Sequence, residues 1–202
     1  MAVTDIARIR LKANVSVEDT ELRRRLLAAK EAMESYTGNT FYFYTQLDDP
    51  SLIYIIGRWV SAAQHSQEWI PSEANQNILV SLKDYISVDW MFHVDMEQMD
   101  IPFDAPILAN RRYFVSEEEK GTFSAEVERL WSLAAGSVCP YRLSGGWKVE
   151  KHENDERHEY LLFSGAKSVA QEDMGQELTY ALDRLHNAVG ELETTFCKEL
   201  PL

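Results

Sequence analysis

Apolar and polar residues follow two periods along the first half of the chain. Residues 3–12 alternate, with Ala7, Ile9 and Leu11 on one parity, which predicts a strand buried on one face. After Asp19 the apolar residues recur at spacings of 3 and 4, which predicts an amphipathic helix that ends at Gly38. The chain therefore opens with a strand followed by a helix.

The pattern continues with three strands and a second helix. Residues 40–47 and 52–59 are rich in aromatic and β-branched side chains and flank a short polar turn, which predicts a hairpin. Ser61 is a suitable cap for the helix that follows; Pro71 interrupts this helix, which resumes at residue 73. A strand over 86–95 completes the order β-α-β-β-α-β of a ferredoxin-like unit.

The second half repeats most of this order. A connector over 97–107 leads to a strand near 108–115, a helix, and a hairpin of strands 141–150 and 157–164. Leucines at spacings of 3 and 4 then predict a long closing helix that runs to Phe196, with no clear fourth strand after it. We expect two α+β halves, of which the second is less complete.

A recurrence at half the chain length suggests that one unit is used twice. The segment LIYIIGRWVSAAQ at 52–64 is answered by EYLLFSGAKSVAQ at 159–171. This predicts a first domain over 1–96, a connector over 97–107 and a second domain over 108–202, with 1–96 and 108–196 superposable.

Composition narrows the classes of partner. The net charge of −13 opposes binding to phosphate, so nucleic acid and anionic membrane surfaces are not expected partners. Two cysteines offer no disulfide framework, and Cys139 has no basic neighbours that would mark it as a nucleophile. The N-terminus has no signal-peptide core and no apolar run approaches a membrane span, so a cytoplasmic location is expected.

The junction after residue 56 carries a family resemblance. It reads Gly57, Arg58, Trp59, Ser61 and His65, spaced as G-R-W-x-S-x-x-x-H. With the order of elements, this resembles the dimeric α+β barrel superfamily, and within it the antibiotic-biosynthesis-monooxygenase-like proteins in their tandem, fungal form. The resemblance implies two ferredoxin-like halves whose sheets pack face to face, so that one chain forms a pseudo-dimer.

The second half carries a degenerate version of this junction. Ala166 stands where Trp59 stands, and Glu172 stands where His65 stands. We therefore expect the active pocket in the first half, and a smaller or occluded cavity in a second half that serves as scaffold.

The resemblance implies a range of activities. Members include cofactor-free oxygenases of polycyclic phenols, heme-degrading enzymes, decarboxylases, cyclases and proteins without known catalysis. The expected function is a cofactor-independent enzyme of specialised metabolism acting on an aromatic or polyketide-like small molecule by oxygenation, decarboxylation or cyclisation. A non-catalytic ligand-binding or stress-related barrel protein and a heme-handling protein are the alternatives, and a homodimer is left open.

His65 is the candidate catalytic residue. A histidine at this junction can take a phenolic or enolic proton near neutral pH, although a helix-face histidine can also be structural. The candidate substrate-binding residues could stack on or orient an aromatic ring, or grip a carboxylate in the case of arginine, and each has core packing or a surface ion pair as its alternative. They are Trp59, Arg58, Tyr44, Tyr54 and Trp90.

The sequence does not favour a metal centre. His93 and Asp95 on one strand, with His152 or His158, resemble a two-histidine, one-carboxylate iron site. The chain has too few strands for the jelly roll that usually carries such a site, and His152 lies in a charged loop. We expect neither a cofactor nor stoichiometric metal.

Overall fold

The computed structural model describes residues 1–136, 140–151, 156–169 and 175–202. Cys139, His152 and Glu172 lie outside these residues. The described elements are β1 (Val3–Leu11), α1 (Thr20–Thr37), β2 (Tyr42–Gln46), β3 (Leu52–Trp59), a π-helical segment (Gln64–Trp69), α2 (Glu73–Leu82), β4 (Ile86–Val94), a 3₁₀ turn (Gln98–Asp100), β5 (Ile107–Ser116), α3 (Lys120–Gly136), β6 (Leu143–Trp147), β7 (Arg157–Ala166), α4 (Gln176–Asn187) and β8 (Glu191–Glu199).

The chain divides into two compact units. The first contains Met1–Gln98 together with Lys198–Leu202, and the second contains Met99–Cys197. Within the first, the strands lie in the order β4-β1-β3-β2, and within the second in the order β8-β5-β7-β6. Both orders place the fourth strand of the unit beside its first, as a ferredoxin-like unit requires. The mixed α+β fold with two ferredoxin-like halves is confirmed.

The first helix forms where the pattern predicts it. The Asp19 carboxylate accepts hydrogen bonds from the backbone N–H groups of Glu21 and Leu22, at 2.8 and 2.9 Å, and so caps the helix. Gly38 ends the helix in the left-handed conformation, with φ of 70°. The apolar stripe of α1 is buried against the sheet of the first unit through Leu22, Leu26 and Ala29.

The C-terminus completes the core of the first unit. The Leu200 N–H donates to the Phe43 carbonyl on β2 at 2.8 Å, and its side chain is buried in the cluster that contains Phe41 and Trp59. The last five residues therefore belong to the first unit, although 99 residues of the second unit separate them from it in sequence.

The prediction of a closing helix to Phe196 is wrong. Helix α4 ends at Asn187, and β8 follows as the fourth strand of the second unit, antiparallel to β5. Gly190 interrupts the helix, and the β-branched pair Thr194 and Thr195 suits a strand. The apolar residues keep spacings of 3 and 4 across the boundary between α4 and β8 by coincidence. Among the described residues, no helix is long and apolar enough to cross a bilayer.

Gly57 on β3 has a packing role that can be tested. A Cβ atom at this position would lie 1.9 Å from Cε1 of Phe41, whose ring is fully buried. We expect Gly57→Ala to destabilise the protein by about 1–3 kcal/mol because the ring must shift in a full core. Gly121→Ala is the control, because a Cβ there meets nothing within 4 Å.

Chemical denaturation of both variants checks this expectation. The control should be neutral or stabilising by up to about 1 kcal/mol, because alanine loses less conformational entropy on folding. Equal midpoints for the two variants would contradict the close approach of Phe41 to β3.

Candidate active site

His65 lies on a widened helical turn that directly follows β3. The Ser61 hydroxyl accepts from the Gln64 N–H at 3.0 Å, so Ser61 caps this turn as predicted. The Ile70 N–H donates to the His65 carbonyl at 2.9 Å, which is the five-residue spacing of a π-helix. Such π segments are frequent at functional sites. Here the turn directs both His65 and Trp69 into the interior.

Aromatic rings fix the orientation of the His65 imidazole. The Trp59 indole stacks on it, with ring centroids 4.1 Å apart and planes 7° from parallel. Phe41 meets the indole edge-on at 5.7 Å, and Trp69 lies against it at 5.9 Å. Trp59 is fully buried, so the imidazole rests on a surface that cannot move without opening the core.

Tyr36 borders this aromatic group from helix α1. Its ring lies 5.0 Å from that of Trp69, and its hydroxyl donates to the Glu68 carboxylate at 3.2 Å. Desolvation, and then this hydrogen bond, raise the pKa of Tyr36. The Tyr36 hydroxyl thus links helix α1 to the π segment as a hydrogen-bond donor.

Two further polar residues meet His65 in the interior. His65 Nδ1 lies 2.8 Å from His93 Nε2, a hydrogen bond, and 3.6 Å from Asp5 Oδ1. Asp5 on β1 and His93 on β4 are direct cross-strand partners, so their side chains lie on the same face of the sheet. All three are buried: 4% of Asp5, 4% of His65 and 2% of His93 are exposed. Buried groups of this kind are costly unless they interact with one another.

An apolar cavity lies above this polar cluster, between the sheet and the helices of the first unit. Its volume is about 250 Å³, and Asp5, His65 and Asn75 are the polar residues in its lining. Helices α1 and α2, the π segment and all four strands of the unit contribute apolar residues to the lining, among them Ala29, Phe43, Ile55, Trp69 and Val88. A mostly apolar cavity with a few convergent polar groups is typical of a site for a small organic ligand.

The predicted site residues divide between the two faces of the sheet. His65 lines the cavity, and Trp59 supports it from behind. Tyr44, Tyr54 and Trp90 do not line the cavity, because strand alternation turns them to the opposite face.

On that opposite face the three aromatic residues have partners of their own. The Tyr54 hydroxyl donates to Gln46 Oε1 at 3.1 Å, and Tyr44 is 1% exposed. The Trp90 ring stacks on Phe92, with centroids 4.9 Å apart. These residues are thus separated from His65 by the sheet.

Arg58 is also outside the cavity lining. Its Nε lies 3.3 Å from Glu97 Oε2, in a partly exposed ion pair. Arg58 thus forms a surface ion pair, which the acidic composition favours over binding of a substrate carboxylate.

The sequence paired His93 with the wrong groups. Its neighbours are His65 and Asp5, whereas Asp95 is exposed and His158 lies 2.6 Å from Glu117 in the second unit. Asp5 was missed altogether, although it shares the inward parity of Ala7 and Ile9 on β1, where a carboxylate is out of place.

Asp5, His65 and His93 are also the donors that could hold a metal ion. Their ligand atoms all lie within 4.8 Å of one another and form a two-histidine, one-carboxylate set. The direct hydrogen bond between the two imidazoles already satisfies one nitrogen of each. The expected absence of metal stays a prediction.

Comparison with known proteins shows likeness in structure alone. No family model matches the sequence, and no curated protein matches it. A protein assigned as a monooxygenase in Fusobacterium nucleatum is 10% identical, with a TM-score of 0.69 over 99% of this chain and 93% of that one.

Two other solved structures are similar over nearly the whole chain. An anthrone oxidase-like protein is 11% identical, with a TM-score of 0.62 over 98% of this chain and 91% of that one. A protein assigned as a chlorite dismutase is 9% identical, with a TM-score of 0.60 over 98% of this chain and 94% of that one. The chain thus shares its α+β fold with these proteins, as its predicted order of elements implies.

The cavity predicts binding of a small neutral aromatic molecule. We expect 1-naphthol to bind and to quench the fluorescence of Trp69, which lines the cavity. Ala29→Phe should weaken binding by at least about tenfold, or about 1.4 kcal/mol, because the added ring fills the cavity. Ala28→Phe, on the exposed side of the same helix, is the control and should bind as the native protein does. If the two variants bind 1-naphthol with equal affinity, the ligand does not bind in this cavity.

Proposed function

We propose that this chain is a cofactor-independent enzyme of specialised metabolism that acts on an aromatic or polyketide-like substrate in the cavity of the first unit. The observation that carries the proposal is a mostly apolar cavity lined by the Asp5 carboxylate and by the His65 imidazole, which is hydrogen-bonded to His93. Such a cavity holds an apolar ring system and offers it a base at one point. The proposal includes a cytoplasmic location.

His65 is the residue proposed to take the proton. It lines the cavity, and the Trp59 stack holds its ring in one orientation. A positioned histidine can accept a proton from a phenol, an enol or an activated C–H group, and such general base catalysis contributes about 10²–10⁴-fold to rate. The resulting carbanion or phenolate would carry the electrons for oxygenation, decarboxylation or ring closure.

The lining also favours a neutral substrate. Asp5 is its acidic residue, and no arginine or lysine is among the described residues that line the cavity. A carboxylate or phosphate on the substrate would therefore meet a buried carboxylate without a compensating cation. Since Arg58 is paired with Glu97 outside the cavity, it does not support carboxylate recognition there.

Heme fits this cavity poorly. A volume of about 250 Å³ is below the range of about 300–1,000 Å³ of drug-sized ligand sites, and a porphyrin is large for that range. The heme propionates would also need cationic partners, which the described lining lacks. Heme is therefore not the ligand that we propose for this cavity.

A ligand-binding protein without catalysis is the second candidate, because the cavity alone supports it. Binding needs the apolar lining, whereas catalysis also needs His65 to exchange a proton with the ligand. Loss of the His65 imidazole should therefore abolish turnover if the protein is an enzyme, and should leave ligand binding largely intact if it only binds.

Anthrone is a suitable probe substrate, since its oxidation needs only a base and dioxygen. Removal of a ring proton gives a carbanion that O₂ oxidises, and anthrone plus O₂ yields anthraquinone plus water. We expect the native protein to accelerate oxygen uptake, and His65→Ala to lower turnover by about 10²–10⁴-fold. His158→Ala, a histidine of the second unit, is the matched control and should retain turnover.

Melting temperature must be measured beside oxygen uptake. A purely structural His65 predicts a loss of about 0.5–3 kcal/mol in stability with little change in turnover per folded molecule. Binding of anthrone by the native protein without any acceleration of its oxidation, or of its deprotonation, would favour the ligand-binding candidate.

A further inference from the structure

We propose that Asp5 and His93 are positioning residues for His65, and that the three form a relay in which the His65 proton is fixed on Nδ1. This inference rests on the proposed function, because it specifies how the base at the end of the cavity is prepared. In the relay, Nδ1 of His65 keeps its proton, and Nε2 is the nitrogen that would accept a proton from the substrate.

The positions of two neighbouring atoms favour a proton on Nδ1 of His65. Asp5 Oδ1 and His93 Nε2 both approach His65 Nδ1, at 3.6 and 2.8 Å. A proton on Nδ1 can be donated to His93 Nε2 and is attracted by the carboxylate. A bare Nδ1 would instead present its lone pair to the carboxylate, which is repulsive in a buried site of low dielectric constant.

The same arrangement stabilises the product of proton transfer. When His65 takes a proton on Nε2 it becomes an imidazolium ion, which the nearby carboxylate of Asp5 stabilises. Both groups are buried, so water screens this attraction little. The attraction to the His65 imidazolium thus offsets part of the cost of burying the Asp5 carboxylate.

The spacing favours a relay over a metal centre. Metal–nitrogen bonds of about 2.0–2.1 Å place neighbouring ligand nitrogens about 3.0–3.4 Å apart. The two imidazole nitrogens are closer than this, at 2.8 Å, which is the length of a hydrogen bond. A metal would have to break this bond and separate the rings.

Nitrogen-15 NMR of the native protein, labelled in its histidine rings, tests the relay directly. We expect His65 to show a protonated Nδ1 and an unprotonated Nε2 at neutral pH, with a coupling between Nδ1–H and His93. Variants at single histidines assign the signals of the five histidines. A His65 ring protonated on Nε2 alone would overturn the proposal, as would stoichiometric loss of the His65 and His93 signals on addition of Co²⁺.

Asp5→Asn provides the second arm, with Asp95→Asn on the exposed end of the same sheet as its control. Asparagine keeps the shape of Asp5 but not its charge, so we expect a mixed tautomer at His65 and a fall in kcat for anthrone of about 10–10²-fold with little change in KM. An unchanged tautomer in Asp5→Asn would overturn the role of Asp5.

The two arms separate this inference from the proposed function. The expected tautomer in a native protein that does not oxidise or deprotonate anthrone would keep the relay and remove the proposed activity. Turnover that depends on His65 but with the opposite tautomer would keep the activity and remove the relay.

Discussion

The stacking of Trp59 on His65 is the contact on which the site depends. β3 ends in Trp59, and the π turn begins five residues later. The indole and imidazole rings stack with their centroids 4.1 Å apart. Gly57 allows Phe41 to approach β3 closely, and Phe41 in turn supports the indole. The core of the first unit and the orientation of its candidate base are therefore one structure, and a change that loosens the core also misplaces the base.

The cluster below the stack is where the fold departs from ordinary packing. A carboxylate and two imidazoles occupy inward positions of β1, β4 and the π turn, where apolar residues would be more stable. His65 is hydrogen-bonded to His93 and lies beside Asp5, and Asp5 and His65 line a cavity that is mostly apolar. A buried carboxylate beside an imidazole in a mostly apolar cavity is typical of functional sites.

Much of the fold could be predicted from residue patterns, because they are local. The cap at Asp19, the ending at Gly38 and the stripe of α1 follow from helix geometry and are seen in the structure. The end of α4 was missed because a leucine spacing ran past it by coincidence, and β8 is fixed by its pairing with β5. The site was harder, since the meeting of Asp5 with His93 depends on the register of β1 against β4, which sequence spacing does not encode.

The location of the substrate is the central claim, and a crystal structure of the protein with a bound phenol such as 1-naphthol tests it most directly. The account predicts the ring between α1, α2 and the sheet, with its oxygen within hydrogen-bond distance of His65 Nε2. A ligand found instead on the sheet face of Tyr44 and Trp90, or in the second unit, would contradict it.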